Sequence, residues 1–369
     1  MPPCGRGIGG RTGAGGVSAD GTGRPENARG TAGIKQVAAH AGVSAGTVSN
    51  VLNRPERVAE TTRARVEEAI RALGFVRNGS ASTLRAGHST TIGLMVLDLA
   101  NPFFADVARG VEETAGERGH AVILASSGES GERERRSLRV LAEQRVRGVL
   151  LTPVGDGGEA AARLRERNVP VVLLDHPTPR AGQCSVAVDD VAGGELAAGE
   201  LLAGGARTLA FVTGPAALRR CADRRAGALR ALRTAGLGPG AMREVAVGAM
   251  NARAGQEAAR RLLDAGRPLP DGIFCANDLL ALGVLRVLSQ AGLTVPTDVA
   301  LIGYDDIEFT SAAAVPLSSV RQPAYRLGRI ATELLLEECD DPSGHAHRQV
   351  MFQPELVVRE SSRPGGGVR

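Results

Sequence analysis

The sequence predicts a small all-helical domain followed by an α/β body of two lobes, and three observations support this prediction. Residues 34–41 and 44–52 show helical periodicity on either side of a glycine, Gly42. From Thr91 onward, continuous apolar runs alternate with helical patterns, which is typical of parallel sheets covered on both faces. The alternation restarts near residue 190, and two sets of roughly a hundred residues each predict two lobes.

Composition and charge placement indicate a folded chain with one basic end. The protein has 369 residues, of which 43% are hydrophobic and 23% charged, and this suits several soluble domains. Residues 33–90 hold eight Lys or Arg against four Glu, whereas the part after residue 90 is slightly acidic. A basic head is expected for contact with phosphates, although a solvated basic surface would give the same count.

The cysteines and the N-terminus favour a cytoplasmic protein. The five cysteines are scattered, and no pair has the CxxC spacing, so we expect reduced and mostly buried thiols. The N-terminus has no apolar run after its first charges, and no apolar stretch reaches the length of a membrane span.

The head is predicted to begin after a tail. Residues 1–32 are rich in Gly and Arg and predict a disordered basic tail, or else a translation start placed too far upstream. Residues 33–78 form the predicted helix-turn-helix domain, in which Ser44 caps the second helix. A third helix over residues 61–73 is expected to be capped by Thr61 or Thr62 and to end at Gly74.

Residues 79–89 are small, polar and only weakly helical, which suits a hinge that folds when something holds it. After it, residues 90–362 make the predicted body, and residues 363–369 a flexible C-terminus. One lobe is expected to combine residues 90–189 with 318–346.

The other lobe is expected to combine residues 190–317 with 347–362. The predicted strands lie at 92–97, 121–125, 148–151, 169–174, 208–212, 244–247, 272–275 and 299–303. Ligands of open α/β sheets bind beyond the carboxyl ends of the strands, so two facing lobes predict a ligand cleft.

Seven short motifs, in this order, resemble the LacI/GalR family of bacterial transcription regulators, and the resemblance covers residues 34–361. The motifs are Val37-Ala38 with Ala41-Gly42-Val43-Ser44 and Thr47-Val48-Ser49, Val51-Leu52-Asn53, Asn101-Pro102-Phe103-Phe104, Ala276-Asn277-Asp278, Gly303-Tyr304-Asp305-Asp306, Arg321-Gln322-Pro323, and Pro354-Glu355-Leu356-Val357-Val358-Arg359-Glu360. The resemblance implies a helix-turn-helix head and a periplasmic-binding-protein-like body with two parallel sheets. It also implies a homodimer that represses carbohydrate or related metabolic genes.

The implied partners are near-palindromic double-stranded operator DNA and a small effector, a sugar or sugar derivative. By resemblance, Ala45, Gly46 and Asn50 occupy the positions that read bases in the major groove. Further residues are implied to bind phosphates or cap helices, namely Ser44, Thr47, Ser49 and Asn53.

Leu84 is implied to wedge into the minor groove, the alternative being that it packs a linker. Two departures from the family pattern bear on the head. Ala45 and Gly46 offer no hydrogen-bonding side chain, which leaves direct readout to Asn50. Gly33 stands where relatives have a capping Thr, so we expect the first helix to fray.

The resemblance implies six ligand-binding residues in the cleft. They are Phe103 and Phe104, which would stack on the ligand, and Asp175, Arg224, Met250 and Asp278. Two alternatives remain open, because Asp278 or Asn277 can simply cap its helix and Arg224 can be a surface arginine. The turn of residues 303–306 is expected to shape the end of its strand rather than to bind ligand.

No metal set, cofactor motif or catalytic constellation is visible. His345 and His347 form a pair in a Pro/Gly loop that we expect to be solvated, and no nucleophile lies in a pattern with a base. The sequence therefore favours a regulator over an enzyme on an α/β fold. The remaining alternative is the solute-binding protein of a sugar transporter, which residues 34–88 and the missing export signal disfavour.

Overall fold

The computed structural model describes residues 32–75, 89–265 and 268–363. The chain divides into two compact units, Met1–Ser82 and Thr83–Arg369. We refer to the described part of the first unit as the head and to that of the second as the body. The predicted tail of residues 1–32 and the predicted hinge of residues 79–89 lie almost entirely outside the described residues.

The head consists of three α-helices, as the sequence predicts. They are α1 (Ile34–Ala41), α2 (Ala45–Asn53) and α3 (Glu60–Leu73). Their apolar faces meet in one core made of Val37, Ala38, Ala41, Val48, Val51, Val66 and Ala69. This core is small, so the short helices depend on their contacts with one another for stability.

The helix ends in the head are partly as expected. Gly42 and Gly74 both have a positive φ, 64° and 56°, and each ends its helix with an αL residue. The expected fraying at Gly33 is countered by Gln36, whose side chain accepts a 2.7 Å hydrogen bond from the Gly33 N–H. The prediction of a threonine cap on α3 is wrong, because α3 begins at Glu60 and has no side-chain cap.

The body contains two six-stranded sheets, which confirms the predicted two-lobed α/β class. The first sheet has the order β11-β5-β4-β3-β1-β2 and the second β12-β10-β9-β8-β6-β7. The strands are β1 (Thr91–Val96), β2 (Ala121–Ser126), β3 (Val149–Leu151), β4 (Val171–Leu174), β5 (Ser185–Val188), β6 (Leu209–Thr213), β7 (Met242–Ala246), β8 (Gly272–Cys275), β9 (Ala300–Asp305), β10 (Ser318–Arg321), β11 (Gln349–Phe352) and β12 (Glu355–Val357). Only β10 and β12 pair in antiparallel orientation among the described strands.

Helices cover both sheets. They are α4 (Pro102–Glu117), α5 (Gly131–Glu143), α6 (Gly158–Arg165), α7 (Asp190–Ala203), α8 (Arg219–Thr234), α9 (Ala252–Asp264), α10 (Asp278–Gln290), α11 (Glu308–Ser311) and α12 (Ala324–Asp340). Most of β1, β3, β4, β6, β8 and β9 is buried because helices lie on both faces, and this explains their continuous apolar runs.

The chain crosses between the lobes at points other than those predicted. The sequence predicts Ser318–Arg321 in the first lobe, yet β10 pairs with β9 in the second sheet. It predicts Gln349–Phe352 in the second lobe, yet β11 pairs with β5 in the first sheet. These strands have four residues each, and a strand this short carries too little pattern to indicate its sheet.

No helix within the described ranges is long and apolar enough to cross a membrane. The four described cysteines, Cys184, Cys221, Cys275 and Cys339, are free thiols, and the first three are buried.

Candidate DNA-binding face and inter-lobe ligand site

The exposed face of α2 carries the residues that the sequence assigns to base reading. Ala45, Gly46 and Asn50 are exposed, while Val48 and Val51 on the opposite face are buried in the head core. The Asn50 side chain makes no hydrogen bond to any described residue, so its amide is available to a base edge. The exposed face of α2 therefore presents one unbonded amide, that of Asn50, as expected for a recognition helix.

The hydroxyl residues of α2 have structural partners. Ser44 Oγ accepts a 3.0 Å hydrogen bond from the Thr47 N–H, so Ser44 is the N-cap of α2. Its oxygen also lies 2.9 Å from Thr47 Oγ1. Asn53 Nδ2 donates to the Ser49 carbonyl at 2.7 Å. These bonds fix the two ends of α2, and Ser44 and Asn53 remain exposed at them.

The charge of the head is partly neutralised on α3. There Arg63 lies within 4.0 Å of Glu60 and Glu67, and Arg71 is ion-paired with Glu68 at 2.6 Å. Four other cations of the head have no ion pair among the described residues, namely Lys35, Arg54, Arg57 and Arg65. The positive charge available to phosphates is thus carried mostly by α1 and the segment after α2. Leu84, the predicted minor-groove wedge, lies outside the described residues.

At the place predicted for the ligand cleft, between the lobes, lies a small and partly open cavity of about 10 Å³. It is lined by Leu97, Asp98, Asn101, Phe104, Glu129, Arg220, Arg224, Met250, Asn277 and Asp305. Most of these residues directly follow strands of one sheet or the other or begin the next helix, as expected for a site at the carboxyl ends of parallel strands. A cavity of this size has room for a single water at most. Little space is therefore left between the lobes at this point.

A groove of about 780 Å³ lies elsewhere, between α5 and α6, and is lined by Arg135, Arg139 and Glu159 among others. It is far larger than the inter-lobe cavity, yet it lies along helices rather than at strand ends. Size alone does not make it the better ligand site, because it collects exposed charged side chains that water already solvates.

Three contacts close the cleft, and each joins a residue near the first sheet to one near the second. Arg220 Nη2 on α8 lies 3.0 Å from Asp175 Oδ2, which follows β4, and both side chains are more than nine-tenths buried. The Arg220 guanidinium also lies over the ring of Phe104, 5.4 Å from its centre. Asn101 Nδ2 donates to Asp305 Oδ2 at 2.9 Å.

The Asp175 carboxyl is in an unfavourable environment for a charge. Apart from the ion pair with Arg220, neither oxygen accepts a hydrogen bond from a described residue. Burial raises the pKa of Asp175 to about 6, although the positive charge of Arg220 lowers it. Burial likewise raises the pKa of Asp305. Both carboxyls would gain from a ligand that donates hydrogen bonds to them.

Arg224 is the central cation of the cavity. It is fully buried, its Nε donates to Asp190 Oδ1 at 2.8 Å, and Nη1 donates to the Ala276 carbonyl. Its guanidinium lies 3.5 Å from the ring centre of Tyr304. Burial lowers the pKa of Arg224, but Asp190 and Tyr304 raise it by more, so the residue stays charged.

The remaining amino group of Arg224, Nη2, has no hydrogen-bond partner among the described residues. Two of its three nitrogens are thus committed to the fold and one remains for a ligand. The alternative reading of Arg224 as a surface arginine is wrong, because the side chain has no exposed area.

Three predicted ligand residues do not line the cavity, namely Asp175, which lies beside it in an ion pair with Arg220, and Phe103 and Asp278. Asp278 is fully buried, and its carboxylate accepts hydrogen bonds from the Ile307 N–H at 2.9 Å and from Ser319 Oγ at 2.7 Å. It is not the helix cap either, since Asn277 accepts from the Leu280 N–H at 2.9 Å. Phe103 is buried and packs edge-on against Phe104, with ring centres 5.0 Å apart.

Sequence reasoning missed several lining residues. Asn277 both caps α10 and lines the cavity, and it donates to the Met250 carbonyl at 2.9 Å. In the sequence, Arg220 lies in an arginine-rich run and Asp305 in a predicted turn, and neither is predicted to bind the ligand. Asp305 does have a turn conformation, with φ 106°, yet its carboxylate also lines the cavity. The signal available for Asp305 was its position at the end of a predicted strand.

Comparison with known proteins agrees with this architecture. Residues 33–78 match the model described as bacterial regulatory proteins, lacI family, and residues 198–362 match a periplasmic binding protein-like domain. The HTH-type transcriptional repressor PurR of Aliivibrio fischeri (strain MJ11) is 35% identical over 333 residues, which cover 89% of this chain and 97% of that protein. The chain belongs to the LacI family. It is therefore a DNA-binding transcriptional regulator with an effector-binding body.

Two solved structures are similar over nearly the whole length of this LacI-family regulator. A complex of the transcriptional regulator CelR with cellobiose is 33% identical, with a TM-score of 0.66, and the match covers 89% of this chain and 99% of the other. The Lac repressor dimer bound to operator and the anti-inducer ONPF is 27% identical, with a TM-score of 0.76 and coverage of 90% and 100%.

Proposed function

We propose that this regulator is a homodimeric repressor of carbohydrate or related metabolic genes, and that a sugar or sugar derivative bound between its lobes controls its affinity for operator DNA. The observation that carries the proposal is the pairing of a recognition helix that has a free amide, Asn50, with a cavity at the strand ends that has a free guanidinium nitrogen, Arg224 Nη2. The cellobiose bound to CelR supports a sugar, and the Lac repressor dimer supports two heads on one operator.

The chemistry of the cavity suits a small molecule rich in hydroxyl groups. Asp175 and Asp305 can accept hydrogen bonds from hydroxyls, while Arg220 and Arg224 can donate to their oxygens. The ring of Phe104 offers an apolar face for the C–H side of a sugar ring. We propose Phe104, Asp175, Arg220, Arg224, Met250 and Asp305 as the effector-binding set.

We propose that effector binding widens the cavity and moves the lobes apart, because about 10 Å³ holds no more than a water. The effector then competes with the cross-cleft contacts of Arg220 and replaces them with its own. A ligand shifts the equilibrium between closed and open lobes only by its difference in affinity for the two states. We propose that this opening is transmitted to operator affinity through residues 79–89, where Leu84 would enter the minor groove.

A regulator of this kind is not an enzyme, and it works in the bacterial cytoplasm at the nucleoid. The proposed cavity supports this view, since its lining residues form ion pairs rather than a nucleophile with an oriented base. The transporter alternative leaves residues 33–78 without a role, and that segment matches the lacI-family model.

DNA binding is tested by fluorescence anisotropy with operators selected from a random symmetric library. Asn50→Ala should weaken specific binding by about 1–3 kcal/mol and relax base preference at one position of each half-site. Arg71→Ala is the matched control, because Arg71 is exposed on α3 and already paired with Glu68. Equal binding by the N50A variant and the wild-type protein would exclude a base contact by Asn50.

Effector binding is tested by thermal shift against a panel of sugars, with nucleobases as a second class. A binder raises the Tm of the body because it binds the folded state only. Arg220→Met should abolish that rise, whereas Arg225→Met on the same helix should keep it, since Arg225 pairs with Glu244 at the surface. A full rise in the R220M variant would remove Arg220 from the site, and a rise with nucleobases alone would exclude a sugar.

A further inference from the structure

We propose a zinc site in the first lobe, formed by Cys184, Glu338, His345 and His347. The four residues come from three separate segments of the chain. Cys184 immediately precedes β5, Glu338 lies in the last turns of α12, and the two histidines lie in the loop between α12 and β11. The sequence predicts the two histidines to be a solvated pair. Cys184 is far from them along the chain, and it and Glu338 become their neighbours only in the folded protein.

The distances fit one shared ion. Cys184 Sγ lies 3.1 Å from His345 Nε2 and 3.6 Å from His347 Nδ1, and all four donor atoms lie within 4.8 Å of one another. Neighbouring ligands of a tetrahedral zinc, with bonds of about 2.0–2.3 Å, are separated by about 3.3–3.8 Å. Small side-chain movements would therefore place the four atoms around a single metal ion.

Burial gives a second, independent sign of a ligand. Glu338 is only 8% exposed, and its Oε2 is buried with no hydrogen-bond partner among the described residues. A carboxylate oxygen left this way costs free energy unless a cation or donor satisfies it. The exposed neighbours Glu337 and Arg348 pair with each other, so Arg348 does not supply that charge.

The surrounding backbone holds the donors in place. β5 and β11 are adjacent parallel strands with Ser185 opposite Gln349, which puts Cys184 beside the end of the histidine loop. The Arg348 N–H donates to Cys184 Sγ at 3.3 Å, a bond that suits a metal-bound thiolate. The loop itself is turned by Asp341, whose carboxylate accepts from the Gly344 N–H at 2.9 Å.

The donor set selects the metal class. One thiolate, two imidazoles and one carboxylate favour zinc over magnesium and calcium, which take oxygen ligands. The site has four protein ligands and lies at the N-terminal ends of β5 and β11, whereas the inter-lobe cavity lies at the carboxyl ends of strands, so we assign it a structural role. Zinc would tie the α12–β11 loop to β5. This loop leads into β11, from which the chain crosses to β12 in the second sheet.

The test uses the full-length protein, stripped of metal with a chelator and then titrated with Zn²⁺ in competition with a zinc-binding dye. We expect one zinc per chain and a rise in the Tm of the body. His347→Ala should lower the affinity more than about tenfold. Because His347 is exposed, this variant is expected to fold. Cobalt in place of zinc should show a thiolate-to-metal charge-transfer band, which Cys184→Ser should remove.

Two cysteine variants serve as controls. Cys339→Ser changes a thiol on α12 that contacts the Arg147 carbonyl and not the proposed site. Cys4→Ser removes the thiol near the start of the chain. Both should bind zinc with wild-type affinity and keep the cobalt band. The proposal is overturned if the protein binds no stoichiometric zinc, or if C184S and H347A bind it as tightly as the wild type.

Discussion

Gly227 on α8 allows a close helix contact in the second lobe, and replacing it with alanine tests that packing. A Cβ atom at this position would lie 1.9 Å from the Val191 carbonyl oxygen and 2.6 Å from the Glu195 nitrogen, both on α7. Both are backbone atoms and cannot turn aside, so α7 and α8 would have to move apart. The same close approach places Asp190 of α7 beside Arg224 of α8.

The expected loss follows from two opposing terms. Overpacking a well-packed contact costs about 1–3 kcal/mol, and a clash with backbone belongs at the upper end of that range. Alanine recovers about 1 kcal/mol of helix propensity relative to glycine. The net destabilisation of Gly227→Ala is therefore about 2 kcal/mol, which lowers the Tm of the body by roughly 4–8 °C.

The matched control is Gly199→Ala on α7, where a Cβ atom would meet nothing within 4 Å. This variant has only the propensity gain and should raise the Tm by about 2–4 °C. Differential scanning calorimetry of both full-length variants measures the two shifts. If G227A melts at or above the temperature of G199A, the steric reasoning is refuted, since the two substitutions are chemically identical.

Two further predictions concern the buried charges. Arg224→Met should destabilise the body by about 3–5 kcal/mol, because it leaves the buried Asp190 carboxylate without its cation. The measurement is denaturant unfolding at pH 7, with the surface variant Arg225→Met as the control. A loss of stability no larger than that of Arg225→Met would contradict this prediction. The pKa of Asp175, raised to about 6 from about 3.8, means that folding takes up a proton between these values, so its contribution to stability is largest at acid pH and is lost as pH rises through 6. The free energy of unfolding of the wild type relative to Asp175→Asn, measured at pH 7 and at pH 5, should increase by about 1 kcal/mol toward pH 5. If this difference is the same at both pH values, or decreases toward pH 5, the pKa of Asp175 in the folded state is not raised.

Local patterns carried enough information for the head and for the long strands. The turn at Gly42 and the Ser44 cap are decided by residues adjacent in sequence, since a left-handed turn favours glycine and a helix start favours a hydroxyl. The apolar runs of β1 and β9 identify strands buried on both faces. By contrast, β10 and β11 are too short to reveal their sheet, which is set by the strands they pair with.

The cleft was predicted in outline but not in detail. Its location follows from the alternation of strands and helices, and the resemblance supplied Phe104, Asp175, Arg224 and Met250, of which Asp175 pairs with Arg220 and the other three line the cavity. The exchange of Asp278 for Asn277 shows the limit. Asn277 is the extended N-cap of α10 and Asp278 is its first residue, so the two neighbouring side chains have different surroundings, the Asn277 amide at the cavity and the Asp278 carboxylate in the core.

A basic three-helix head, a body of alternating strands and helices, and a cleft at the strand ends follow from the amino-acid sequence alone, because each depends on periodicity and on residues close along the chain. Which side chains meet depends instead on the packing of the folded chain. It placed Arg220 beside Asp175, and Cys184 beside His345, 161 residues further on. Such contacts depend on how the elements pack in three dimensions. Two residues far apart along the chain become neighbours when the strands and helices that carry them pack together.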